Sequence, residues 1–378
     1  MKCNIYIANH GKCDGIEDFL TILTSVVQRH GHEVEVSEEL KTDAINFVID
    51  EFTNVLSNRE ILKFRRRNPS AKLVYVLTEF IEHRWFVTSF NFFKGPMEAA
   101  LIAALSVYMR LRRGDFVAPR TKDWLLAIAY SPLLLMYGLT HLFNNFIRPR
   151  NMRTPLTKRI YRTAYMLMRY LGLERMLGCA DCIILSHDLI APGLKYISND
   201  VPVVGTIHPE IDFDEIKHSL FKDKELFIEI TGSVTPYREK FINEINSNIL
   251  TLGLKNQIKK CESIAFESAG NGARRGAYSL HPPQTKQWKY ASPTRIFRAL
   301  QYDHNMPVLT KVFGQHPIEK LCLRYKGERT LFELYQYYKH PEQLINRLEP
   351  LAEEYMKVAS LENEAVIKAV FGKRGTQN

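Results

Sequence analysis

Cysteine is scarce in this chain, and its placement excludes the architectures that depend on it. The 378 residues contain six cysteines, and only Cys179 and Cys182 have CxxC spacing. A structural zinc site needs a full set of thiolate and imidazole ligands, and neither a second pair nor a histidine cluster lies near this one in the sequence. Because Cys182 opens the apolar stretch CIILS, we expect buried structural thiols in a reducing environment.

Internal repeats and low-complexity tracts are also missing from the sequence. The first residues enter a strand-like stretch directly, and no signal peptide is expected. With 46% hydrophobic and 24% charged residues, the composition is that of an ordinary globular protein. A chain of this length is expected to form one very large domain or two ordinary ones.

Positive charge is in excess and unevenly placed. The net charge is +10, and arginine and lysine crowd residues 110–175, which predicts an anionic partner such as a phospholipid headgroup, a diphosphate or a nucleic acid. Residues 96–178 are predicted to be a helical, apolar and basic insertion. Within it, residues 124–147 lack Asp, Glu, Lys and Arg. We expect this insertion to lie in or on the cytoplasmic leaflet; a buried helical pair and a true span are the alternatives.

The rest of the chain alternates strands with helices, which predicts parallel, doubly wound α/β sheets. Strand patterns begin at residues 2, 32, 44, 72, 180 and 201, and a second α/β series starts near residue 224. The predicted division is a Rossmann-like unit at 1–212, which includes the insertion, and a second at 213–378. A ligand cleft is expected between the carboxyl ends of the two sheets. The tail from residue 341 is predicted to be a helix pair that could pack back on the first unit.

Two stretches of the second unit have the pattern of anion-binding loops. In TGSVTPYREK a strand ends at Gly232 and Ser233, and a helix begins with basic residues near its start. In ASPTRIF a helix begins after an N-cap, with proline at its first position. Helix N-termini offer backbone N–H groups and a positive dipole end to a phosphate. The residues expected to line a diphosphate are Gly232, Ser233, Arg238, Lys240, Ser292, Pro293, Thr294 and Arg295.

These patterns, taken in order, resemble the GT-B glycosyltransferases. The resemblance rests on ADCIILSHDLIAPGLKYISNDVPVVGTIHPEID, on TGSVTPYREK and on YSLHPPQTKQWKYASPTRIFRALQYDHNMPVLT. It implies two Rossmann-like domains facing a cleft, a sugar-nucleotide donor bound by the second and an acceptor bound by the first. The diphosphate-lining residues above would hold the donor, and His281 would border its nucleoside or sugar.

One departure from the family pattern concerns the two glutamates that many retaining members carry. Arg298 stands where the second is expected, and Tyr290 stands near the first, which favours an inverting reaction. Inversion needs one general base and positive groups for the leaving diphosphate. No metal or cofactor is expected beyond the donor substrate. The preferred candidates for the base are Asp14, then Glu79, then His187, with Asp18 and Glu51 also considered.

The resulting hypothesis is a hexosyltransferase-type enzyme, peripheral on the inner face of the plasma membrane. It would transfer a sugar to a lipid-linked or polysaccharide acceptor, and nucleic acid is not expected as a partner. One alternative is a nucleotide-sugar epimerase of the same fold. Another is a non-catalytic basic protein that binds membrane or nucleic acid.

Overall fold

The computed structural model describes most of the α/β part of the chain. The described residues are 1–7, 17–49, 55–78, 176–194, 200–231, 235–254, 258–264, 276–282, 291–310 and 316–372, with the isolated residues 125, 128, 129, 132 and 173. The predicted insertion at 96–178 lies almost entirely outside them. In the part of the chain described here, no helix is both long and apolar enough to cross a bilayer.

The first half of the chain builds a six-stranded parallel sheet. Its strands are β1 (Lys2–Tyr6), β2 (Glu33–Ser37), β3 (Ile45–Ile49), β4 (Leu73–Leu77), β5 (Cys182–Leu185) and β6 (Val203–Thr206). They lie in the order β2-β1-β3-β4-β5-β6. Every residue of β3 and β4 is buried, as expected for central strands of a parallel sheet that is covered on both faces.

Helices and core residues cover this sheet on both sides. Among the described residues, the helices of this half are α1 (Glu17–Arg29), α2 (Val55–Arg67), α3 (Ala191–Leu194) and α4 (Phe213–Ser219). Ile5 and Phe47 belong to one buried apolar cluster, whereas their neighbours Tyr6 and Val48 belong to another. Because successive strand residues point to opposite faces, the two clusters lie on opposite sides of the sheet.

The second half builds a five-stranded parallel sheet with the same winding. Its strands are β7 (Glu225–Thr231), β8 (Lys259–Ile264), β9 (Gly276–His281), β10 (Met306–Leu309) and β11 (Leu323–Arg324), in the order β11-β10-β9-β7-β8. The α-helices in the described part of this half are α5 (Pro236–Thr251), α6 (Pro293–Gln301), α7 (Glu328–Lys339) and α8 (Pro341–Phe371). The prediction of α/β architecture with parallel sheets is confirmed.

Both sheets have a topological switch point. In each one, the first strand in the chain lies between the second and the third, so the winding direction reverses beside that strand. The reversal opens a crevice at the carboxyl ends of β1 and β3 in the first sheet, and of β7 and β9 in the second. Ligands of open α/β sheets bind in such crevices.

The tail differs from the predicted helix pair. Residues 341–371 form one helix, α8, which continues through Pro350. Proline removes one backbone hydrogen bond and bends a helix, but it need not end one when both sides bury a common face. Leu344 and Leu348 before the proline, and Ala352 and Tyr355 after it, are all buried.

Helix α8 packs against the first sheet. The Asn363 side chain accepts a hydrogen bond from the backbone N–H of His208 at 2.9 Å and donates one to its carbonyl at 3.0 Å. Gly205 of β6 has φ +145°, and a Cβ placed there would lie 2.7 Å from Val366 Cγ2. At the end of the helix, the Phe371 ring stacks on His32 with centroids 3.8 Å apart. The C-terminal part of α8 therefore packs on the first half of the chain.

Candidate functional site

Helices α5 and α6 begin beyond the carboxyl ends of β7 and β9, at the switch point of the second sheet. Thr235 caps α5, and its Oγ1 accepts a hydrogen bond from the Arg238 N–H at 3.2 Å. Ser292 is the N-cap of α6 and Pro293 begins the helix, as the sequence predicts. Among the described residues, no side-chain hydrogen bond caps α6, because the Ser292 hydroxyl instead lies 2.5 Å from Thr294 Oγ1. Pro293 has no N–H, and the Arg295 N–H donates to the Ser292 carbonyl at 3.1 Å, so the Thr294 N–H is the backbone donor of this first turn that is left for a ligand.

Arg238 and Arg295 stand in the first turns of these two helices and are near enough for their charges to interact. Arg238 is only 3% exposed. Burial, and secondarily the positive charge of Arg295, lowers the pKa of Arg238 to about 10. The guanidinium is still charged at neutral pH, and a second cation lies close enough to act on it in a poorly solvated place. An anion bound near them could form charge-assisted hydrogen bonds with both guanidinium groups.

The other residues predicted to bind the sugar-nucleotide donor differ in how deeply they are buried. His281 ends β9, half-buried, with Nε2 3.0 Å from Ser279 Oγ. Lys240 is exposed on α5, and residues two apart on a helix do not share a face. Arg238 therefore points inward while Lys240 lies on the solvent side. Gly232 and Ser233 lie outside the described residues.

A buried ion pair joins α1 to α6 beside the predicted cleft. The Arg298 guanidinium lies 3.5 Å from an Asp18 carboxylate oxygen and 3.5 Å from an Asp303 oxygen, and Arg298 and Asp18 are 4% and 5% exposed. Arg298 occupies the position where the family resemblance expects a glutamate. In this protein the Arg298 side chain links the first turn of α1 to helix α6, so Asp18 has an ion-pair partner.

Only one of the three preferred base candidates is described, and it belongs to a histidine cluster that the sequence did not predict. Asp14 and Glu79 lie outside the described residues, as does Glu51. His187 follows β5, His208 follows β6, and His316 precedes the 3₁₀ helix Pro317–Leu321. The His187 and His316 ring centroids are 5.3 Å apart, and those of His208 and His316 are 4.8 Å apart.

The three rings are almost completely buried, with exposures of 7%, 0% and 2% for His187, His208 and His316. Burial lowers the pKa of His187 to about 4 and that of His316 to about 2, and the neighbouring histidines contribute to both shifts. His316 Nδ1 accepts a hydrogen bond from the Ile318 N–H at 3.3 Å. His208 Nε2 contacts the Glu362 carboxylate of α8. The cluster is therefore neutral at His187 and His316 near pH 7.

The sequence carries local signals for some of these features but not for others. Thr235 could have been read as a cap from the TPYRE pattern, because threonine before proline is a common helix start. The histidine cluster gives no such signal, since its members lie in three separate segments. Within the described ranges, no group of three or more His, Cys, Asp or Glu side chains is arranged to hold a metal ion.

No protein-family model matches this chain, and no match is found among the curated proteins. The functional conclusion therefore depends on the geometry and on the sequence resemblance.

Proposed function

We propose that the protein is a GT-B-type glycosyltransferase that binds a nucleotide-diphosphate sugar at the switch point of the second sheet. The observation that carries the proposal is the approach of Arg238 and Arg295. They stand in the first turns of two successive helices, beside strands whose winding reverses. This is where the general rule for α/β sheets places a ligand, and helix N-termini with arginines are suited to a diphosphate.

These residues supply the chemistry that a departing nucleoside diphosphate requires. The negative charge of the leaving group increases as the glycosidic bond breaks, and preorganised cations and N–H groups stabilise it. Arg238 and Arg295 would provide the charge, and the Thr294 N–H in the first turn of α6 would provide a backbone donor. In this mechanism no metal ion is needed for charge compensation.

The acceptor side of the mechanism is assigned by the sequence hypothesis. The general base is proposed among Asp14, Glu79 and His187. A histidine with the lowered pKa of His187 is neutral at pH 7 and able to accept a proton, although it is a weak base. The basic and apolar pattern of residues 96–178 supports an acceptor that is lipid-linked or held at the cytoplasmic face of a membrane.

The test is a calorimetric titration of the full-length protein with UDP, GDP, ADP and CDP. At least one should bind, and Arg238→Gln should weaken that affinity by about 10- to 100-fold, because charge-assisted hydrogen bonds contribute roughly 1.5–3 kcal/mol. Arg67→Gln, which removes an exposed cation from α2, serves as the charge-matched control and should bind like the wild type.

Two results would count against the proposal: no nucleoside diphosphate binds, or Arg238→Gln binds as tightly as the control. If one binds, incubation with the corresponding sugar nucleotide in the absence of acceptor separates the two reactions of this fold. An epimerase would convert the sugar under those conditions, whereas a transferase would leave its configuration unchanged.

A further inference from the structure

A cavity lies apart from the arginine pair, at the edge of the second sheet that β11 forms. Its volume is about 760 Å³, and its walls come from the 3₁₀ helix Pro317–Leu321, β11, α7 and α8. Small-molecule sites typically occupy roughly 300–1,000 Å³. The space is thus far larger than a bare inorganic ion needs. None of the described residues of the proposed donor site lines it.

The lining of this cavity carries an excess of positive charge. Its basic side chains are Lys320, Arg324, Lys326, Arg329 and Arg347, against the acidic Glu319 and Glu333. Some of this charge is balanced locally: Arg329 lies 3.2 Å from Glu333, and Lys320 lies 2.7 Å from Glu354. The surplus cations favour an anionic ligand.

A buried carboxyl group gives the cavity a second chemical feature. Glu319 is 3% exposed, and one of its oxygens, Oε2, lies 3.4 Å from the Arg324 guanidinium. Its other oxygen, Oε1, has no hydrogen-bond partner among the described residues. Buried polar atoms are nearly always hydrogen-bonded, so an orphaned one suggests a group that the protein itself does not supply.

A negatively charged group cannot donate to this carboxylate, but a hydroxyl can. Burial raises the pKa of Glu319 to about 7, against the opposing effect of Arg324. Near neutral pH the carboxyl is therefore divided between a charged form that accepts a hydrogen bond and a neutral form that also donates one. A ligand that carries both an anionic group and hydroxyl groups would satisfy both features. Its anionic group would contact the basic side chains, and a hydroxyl would contact Glu319.

We propose that this cavity binds an acidic sugar, with its carboxylate or phosphate on the Lys326 and Arg347 side and a ring hydroxyl on Glu319. This assignment also suggests the acceptor class of the proposed transferase, and that part rests on the proposed function. His316 lines the cavity and contacts His187 and His208 on its other side. The ring cluster thus separates the cavity from the carboxyl ends of β5 and β6.

The experiment is a calorimetric titration of the full chain at low ionic strength with glucuronate, glucose 6-phosphate, glucose and sulfate. Glucuronate or glucose 6-phosphate should bind, and glucose and sulfate should each bind at least tenfold more weakly, because each offers only half of the required chemistry. Preference for glucuronate identifies a uronic acid as the ligand, and preference for glucose 6-phosphate identifies a phosphorylated sugar.

Two double variants test whether the acidic sugar binds in this cavity. Lys326→Gln combined with Arg347→Gln removes two exposed cations and should weaken binding of the preferred sugar at least tenfold. Arg66→Gln combined with Arg67→Gln removes two exposed cations from α2 and should have no such effect. If the two double variants bind alike, or if neither acidic sugar binds the wild type, the proposal is overturned.

The pH response tests the role of Glu319 separately. Glucuronate keeps its charge between pH 6 and pH 8, whereas Glu319 loses its negative charge as the pH falls below about 7. Glucuronate affinity should therefore rise several-fold from pH 8 to pH 6 in the wild type and stay level in Glu319→Gln. Glucose 6-phosphate loses part of its own charge towards pH 6, because the second phosphate pKa is about 6, and this lowers its affinity in both proteins. If it is the preferred sugar, the ratio of its affinity at pH 6 to its affinity at pH 8 should therefore be at least about twofold higher in the wild type, where Glu319 becomes neutral over this range, than in Glu319→Gln. Equal pH profiles in the two proteins would contradict the role of Glu319. Arg238→Gln should leave acidic-sugar binding intact, so failure of the donor site and failure of this cavity are distinguishable.

Discussion

The buried histidine cluster makes a quantitative prediction about stability and pH. His316 is neutral in the folded protein because burial and two neighbouring histidines lower its pKa from 6.5 to about 2. In the unfolded chain it has an ordinary pKa. A folded-state pKa below the unfolded value means that the unfolded state binds more protons, so this histidine reduces stability as the pH falls below 6.5.

The size of the effect follows from the titration. Between pH 8 and pH 5 the folded His316 stays neutral, while the unfolded side chain protonates across the roughly 1.5 pH units below its pKa. At about 1.36 kcal/mol per unit, His316 costs about 2 kcal/mol of unfolding free energy at pH 5. That is a large share of the roughly 5–15 kcal/mol that stabilises a typical domain.

The perturbation is His316→Asn, since an asparagine oxygen can replace Nδ1 as acceptor for the Ile318 N–H. Glu319 titrates in the opposite sense, because its raised pKa makes the folded state gain stability as the pH falls. For this reason the quantity to compare is the unfolding free energy of the variant minus that of the wild type at each pH. The contribution of Glu319 is present in both proteins and cancels in this difference.

Urea unfolding followed by circular dichroism at pH 8, 7, 6 and 5 provides that difference. The variant should gain about 2 kcal/mol relative to wild type between pH 8 and pH 5. His340→Asn replaces an exposed histidine that also precedes a helix, and it should show almost no such gain. A His316→Asn profile parallel to that of the wild type would refute the reasoning.

Two further predictions concern packing between the halves of the chain. Asp18→Asn should destabilise the protein by about 1–3 kcal/mol in urea unfolding, because it removes one of two carboxylates around a buried arginine. The control is Asp43→Asn, which removes the carboxylate of an exposed ion pair with Lys2 at 3.8 Å and should cost less than about 1 kcal/mol. An equal cost for the two would contradict a structural role for the buried pair. Gly205→Ala should cost about 2–4 kcal/mol, because strain at positive φ is added to a clash with Val366. Gly253→Ala, also at positive φ but with open space, should cost about 1 kcal/mol, and Val366→Ala should recover part of the Gly205→Ala loss.

Much of the secondary structure could be predicted because its causes are local. The apolar stretches INFVI and LVYVL became fully buried central strands. The helix beginning at Pro293 was predicted from its cap and its apolar face, and it begins there. The tail from residue 341 was predicted as a helix pair, which was wrong, because a continuous buried face carries the single helix α8 past Pro350.

The candidate site was predictable only in its separate parts. The two helix starts with their arginines were recognisable, but their approach depends on the strand order of the second sheet. In the basic stretch of α5, sequence alone could not distinguish Arg238, which is buried, from Lys240, which is exposed. That difference depends on which face of the helix packs against the sheet.

What the sequence determined by itself was the class of fold, because the periods of strands and helices and the chemistry of caps follow from neighbouring residues. Only the tertiary structure decided which distant groups meet. Asp18 and Arg298 are 280 positions apart, and the histidine cluster and the Glu319 cavity each combine several separate segments. Such contacts arise when whole helices and strands pack against one another. The residues next to a given residue in the sequence do not indicate which distant residue it will contact.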